Sequence, residues 1–154
     1  MRRALALMVL AVVGLTATPA GAAGRTPFEP IPPGGFEFPA GSLCSFGLQV
    51  EPVVSREYMM TLPDGSVLIN GALFIRLTNT DTGESQVVNI SGPSRISADG
   101  TTSIALGPLI QPFFGDNPEL IFFHGRTVLH FAPDGSATVL SLHGTMQDAC
   151  AVVA

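Results

Sequence analysis

Residues 119–148 read ELIFFHGRTVLHFAPDGSATVLSLHGTMQD, and this stretch decides the fold. Two apolar runs flank Pro133-Asp134-Gly135. Asp-Gly between alternating apolar runs is the strongest short-range hairpin signal. On the first arm Ile121, Phe123, Leu129 and Phe131 alternate with polar residues, with Thr127 between them; on the second, Thr138, Leu140, Leu142 and Met146 do so. Those sets meet on one face if Asp134-Gly135 is a two-residue turn pairing Pro133 with Ser136. A three-residue turn would put each set opposite the polar face, because a one-residue slip flips every side chain. The two-residue turn is therefore expected.

The same punctuation recurs upstream, at Pro63-Asp64-Gly65, Asp81-Thr82-Gly83 and Ala98-Asp99-Gly100. In the first of these hairpins Tyr58, Met60 and Leu62 face Val67 and Ile69 if Pro63 pairs with Ser66. No stretch after residue 44 carries a sustained 3.6-residue period with caps. About eight strands are predicted: 44–51, 56–62, 66–78, 85–91, 94–98, 101–106, 119–132 and 136–147. The fold class is all-β, an antiparallel meander forming a small barrel or sandwich.

Ahead of this domain, 44–154, lie two other segments. Residues 1–22 read MRRALALMVLAVVGLTATPAGA: two arginines, an unbroken apolar run from Ala4 to Val13, then small residues up to Ala22. That is the pattern of a secretory signal peptide cleaved near Ala22. The run is too short to span a membrane, which takes about 20 apolar residues. Residues 23–43 form a Pro/Gly-rich arm or linker, with Pro27, Pro30, Pro32, Pro33 and Pro39. Proline lacks the N–H and fixes φ, so a helix or central strand is excluded and a spacer is expected. Phe28, Phe36 and Phe38 also allow the arm to pack on the domain.

Composition excludes more than it identifies. The chain has 154 residues, seven Lys+Arg and twelve Asp+Glu. Every basic residue is arginine, so there is no lysine for a Schiff base or a phosphate loop. Removing Arg2 and Arg3 leaves five arginines against the twelve acids, a net −7. No nucleic-acid partner is expected from such a surface. Tryptophan is absent and Tyr58 is the single tyrosine, which disfavours aromatic platforms for carbohydrate.

The two cysteines, Cys44 and Cys150, open and close the domain. An even count in an exported chain reads as a disulfide. Such a bond brings the domain ends together, as in a closed barrel whose first and last strands are neighbours. There is no Cys-x-x-Cys for redox work.

Catalytic motifs are missing: no nucleophile elbow, no His-Glu-x-x-His, no phosphate-cradling glycine loop. No cofactor and no metal are expected. Asn89-Ile90-Ser91 fits a glycosylation sequon without further support. Glu51, Glu57, Asp116, Glu119 and Asp148 carry carboxylates that nothing in the sequence pairs. Asp64, Asp81, Asp99 and Asp134 belong to turns. His124, Arg126 and His143 form a candidate polar site, with His143 opposite Arg126 and diagonal to His124. His130 lies six residues from His124, about 20 Å at 3.3 Å per residue, too far to join them.

Residues 107–118, GPLIQPFFGDNP, look too long for a hairpin loop, and long loops tend to be functional. Leu109, Ile110, Phe113 and Phe114 make it a candidate lid or docking surface for an apolar ligand or a protein partner. Three blocks, CSFGLQVE at 44–51, LTNTDTGESQVVNISGP at 77–93 and DAC at 148–150, together resemble uncharacterised small secreted bacterial all-β proteins. That resemblance implies an extracellular location and no known activity. The expected function is binding of a small apolar ligand or partner. The alternatives are a structural or interaction protein of the cell envelope and a hydrolase-like enzyme with a His/carboxylate cleft.

Overall fold

The computed structural model describes residues 24–154, and the expected signal segment lies outside them. The strands are β1 (Thr26–Phe28), β2 (Phe36–Phe38), β3 (Leu48–Thr61), β4 (Val67–Asn79) and β5 (Ser85–Asn89). They continue as β6 (Ser94–Ile96), β7 (Thr102–Leu106), β8 (Leu109–Phe113), β9 (Glu119–Phe131) and β10 (Ala137–Asp148). A short helical turn at Cys150–Val152 follows. All pairings are antiparallel, and the strands form one sheet in the order β1-β3-β4-β6-β7-β9-β10. The all-β antiparallel reading is correct.

The sheet is not closed into a barrel. β3 and β10 are separated in the order by β4, β6, β7 and β9 rather than lying side by side. The reason is a crease. β5 and β6 both pair with β4, at Phe74–Thr78 and Val67–Ile69, on either side of Gly71. β7 and β8 both pair with β9, on either side of Gly125. β6 pairs with β7, but β5 and β8 have no pairing with each other. Below the crease the sheet is continuous. Above it the sheet divides into two leaves, β2-β3-β4-β5 and β8-β9-β10.

Glycine makes the crease. Gly125 and Gly144 face each other across the β9–β10 ladder with φ of +112° and +153°. A Cβ on Gly125 would drive into the His143 carbonyl oxygen, and one on Gly144 into that of His124. Gly125 also exchanges hydrogen bonds with Gly107: Gly107 N–H donates at 2.9 Å and Gly125 N–H donates back at 3.2 Å. L-residues with side chains rarely adopt that backbone, so the chain folds sharply where glycines align across strands.

The leaves share one core. Leu48 and Val50 of β3, with Leu73, Ile75 and Leu77 of β4, pack in a single buried cluster with Leu120 and Phe122 of β9. Leu43, Phe46, Ala149 and Val153 extend this cluster around the disulfide Cys44–Cys150, which spans 106 residues of sequence. The bond thus joins segments flanking the first and last long strands where no strand pairing does. Asn79, 3% exposed, reinforces the same junction. Its amide donates to Val153 O (3.1 Å), while its Oδ1 accepts from the Asp81 and Thr82 N–H groups (3.0 and 3.2 Å).

Both Pro-Asp-Gly hairpins depart from the expected register. Ala132 N–H donates to Ser136 O (2.9 Å), and Gly135 N–H donates to Ala132 O (2.9 Å), so the loop has three residues. Leu62 and Ser66 are related in the same way, by bonds of 2.7 and 2.9 Å around Pro63-Asp64-Gly65. In both, Gly at φ of +81° to +84° completes a type I turn with a bulge. Met59, not Met60, therefore faces Ile69. A second bulge then intervenes in each hairpin, at Leu140 in β10 and at Val53 in β3. The one at Leu140 shifts the register back, so His143 does lie opposite Arg126.

Two further segments differ from expectation. Strands 44–51 and 56–62 are one strand, β3, interrupted by the bulge beside Pro52. Prolines are tolerated at bulges and edges, because no ladder N–H is required there. The same rule accounts for Pro27 in the edge strand β1 and Pro112 in the edge strand β8. Residues 109–113 are thus a strand rather than part of a long loop, and the arm is docked rather than a spacer. β1 pairs with β3 at Glu57–Met59 and β2 pairs with it at Leu48–Val50.

Candidate functional site

Where the leaves part, an apolar cavity of about 590 Å³ opens between them and beneath the arm. Each wall comes from a different element. The arm contributes Phe28, Pro30, Ile31, Phe36 and Phe38. β3 and β4 contribute Val50, Glu57, Ile69 and Leu73. The connection between β5 and β6 supplies Ile90 and Gly92, and the far leaf supplies Pro108, Leu109, Ile110, Pro112 and Leu120. Phe36 and Phe114, 43% and 64% exposed, mark where it meets solvent.

The crease creates this space. Between Leu73 and Ile69 the inward position on β4 is Gly71, opposite Glu57 of β3. A side chain at 71 would collide with the Arg56 carbonyl. Glycine at this position lets the β3 backbone at Arg56 and Glu57 approach β4 closely.

Polar groups in the lining are few: Glu57, Ser94 and Gln111. The Gln111 amide donates to Pro112 O at 2.9 Å. Glu57 is half-buried, and its carboxylate takes no hydrogen bond or ion pair from another described residue. Burial in this apolar wall holds its pKa above the ordinary glutamate range.

Of the four apolar residues singled out from sequence, Leu109, Ile110 and Phe114 line the cavity. Phe113 packs edge-on against Phe123 instead, with ring centroids 6.2 Å apart. The polar candidates lie elsewhere. His124, Arg126 and His143 are exposed on the β9–β10 hairpin, where His143 lies opposite Arg126 and diagonal to His124, whose direct partner is Thr145. The His124 ring packs on Phe122, with centroids 4.7 Å apart. Among the described residues no group of three or more His, Cys, Asp or Glu is arranged to hold a metal ion.

Sequence reasoning missed Glu57 as a site residue. The one available signal was a carboxylate in an alternating strand, and its surroundings come from segments about 30 to 50 residues away along the chain. The one ion pair among the described residues, Arg95 with Asp64, is a surface contact beside the Pro63-Asp64-Gly65 turn. No helix among the described residues is long and apolar enough to cross a membrane. No family model, curated protein or solved structure matches the chain.

Proposed function

We propose that the protein is an exported, disulfide-clasped β protein that binds a small apolar ligand between its two leaves. The observation that carries this reading is the cavity of about 590 Å³, whose lining is almost wholly apolar. Small-molecule sites typically occupy roughly 300–1,000 Å³ and combine apolar walls with a few placed polar groups. The arm completes the site: five of its residues lie in the wall. Export rests on the arginine pair, apolar run and small residues of 1–22.

Uptake of the neutral, environment-sensitive dye Nile red tests the reading. Saturable fluorescence enhancement is expected for residues 24–154 with the disulfide intact. Replacing Leu109 and Ile110 by polar residues should abolish it while the β-sheet circular dichroism persists. No saturable uptake by the native protein would refute apolar binding.

The interaction-protein reading draws on a different feature. β10 is a long edge strand, and Leu140 and Met146 on it are 59% and 63% exposed. Self-association measured by sedimentation, abolished by Leu140→Lys, would support that second reading.

A further inference from the structure

Glu57 is the one charged residue in the cavity wall among the described residues. A carboxylate taken out of water is stable only when neutral or when met by a donor or cation. The protein supplies neither. The groups around Glu57 on the packed elements are Phe28 of β1 and Gly71 of β4, its ladder partners, and across the cavity Ser94 and Gln111. The adjacent Arg56 and Tyr58 alternate to the opposite side of β3. Arg25, the cation of the arm, is engaged over the Tyr58 ring, 4.6 Å from its centroid.

We infer that the cavity takes a ligand with an apolar body and a protonated amine, the amine seated against the Glu57 carboxylate. This rests on the apolar-binding reading and specifies the ligand's head group. Glu57 lines the cavity among apolar walls, with Ser94 and Gln111 the other polar residues there, so its carboxylate lies where a head group is needed. An ammonium there restores to the carboxylate the charge-assisted hydrogen bond that the chain does not provide. An anionic head would set like charge against like, and a neutral alcohol would offer a weaker donor.

Displacement of Nile red by decylamine, decanol and decanoate, compared at equal chain length and neutral pH, tests the inference. Decylamine should compete about tenfold more tightly than either of the others on the native protein, the scale of one charge-assisted hydrogen bond. Glu57→Gln should retain Nile red uptake and lose the amine preference. That retained uptake also establishes that the variant folds. Equal competition by all three, or a preference for decanoate or decanol, overturns the inference and leaves apolar binding standing. Persistence of the amine preference in Glu57→Gln likewise overturns it. Failure of the native protein to take up Nile red overturns apolar binding itself, and the amine assignment with it.

Discussion

Thr127 is fully enclosed, and its hydroxyl has no hydrogen-bond partner among the described residues. It faces Ala105 on one side and Leu142 on the other. An enclosed hydroxyl without a partner loses its water and gains nothing in return. Thr127→Val should therefore stabilise the protein by about 1 kcal/mol, read as a higher urea midpoint with unchanged slope. A lower midpoint would mean that the hydroxyl is satisfied. The turn aspartates act through pH. Ser97 and Thr101 donate to Asp99 and hold its carboxyl down at about 2. The ionised form is thus favoured in the folded state. Its contribution is complete above the ordinary aspartate range and is lost as pH falls through about 2. Asp99→Asn keeps an acceptor in the turn, so melting curves between pH about 4 and about 2 should show less acid destabilisation than in the native chain. Equal loss in both would exclude Asp99 as a contributor. Glu57 works in the opposite sense: with its pKa raised, the neutral form is favoured, and stability declines as pH rises through that raised value.

At the scale of elements, the glycine crease is the feature to test. Gly125→Ala should destabilise by roughly 2–4 kcal/mol, because it combines a left-handed backbone with a collision against the His143 carbonyl. Gly34→Ala is the control, since a Cβ there meets nothing within 4 Å. Chemical denaturation of both variants checks the pair; equal midpoints would remove the crease as a structural requirement. These elements also explain what a sequence makes legible. The hairpins announce themselves through Pro-Asp-Gly and alternating apolar residues. Their register does not, because a third turn residue and a bulge each shift it by one, and a bulge at Leu140 has no composition of its own. His143 faces Arg126 because those two shifts cancel. The individual glycines are plain in the sequence, but their alignment across β9, β10 and the β7–β8 junction depends on register. Pro112 made β8 read as loop, although an edge strand accommodates it. The cavity was legible only in part: Leu109, Ile110 and Phe114 carried their apolar character openly, while Glu57 became a site residue through the arm and the far leaf that enclose it.

At the scale of the whole molecule, the disulfide does what closure of the sheet would otherwise do. Linking residues 106 apart restricts the unfolded chain, and the loop-entropy account gives roughly 4–5 kcal/mol for a loop of that length. That is a large part of the roughly 5–15 kcal/mol that keeps domains folded. Replacing Cys44 and Cys150 together by serine should lower the urea midpoint accordingly. It should also weaken Nile red uptake more than it weakens the β-sheet signal, since the leaves lose their tie before the hairpins lose their turns. Parallel loss of both signals would show that leaves and hairpins unfold as one unit.

The free boundary between the leaves also sets an order in time. Each hairpin joins neighbouring stretches of chain and forms by local closure, within about 1–10 μs. The leaves meet through contacts between residues far apart in the chain, from Leu77 with Leu120 in the shared core to the Cys44–Cys150 junction, and the entropy cost of such encounters rises with the loop closed. Assembly of the cavity is therefore expected to follow formation of the hairpins. Rapid-mixing refolding with the disulfide already formed should remove that delay from dye uptake while leaving the early growth of β structure unchanged.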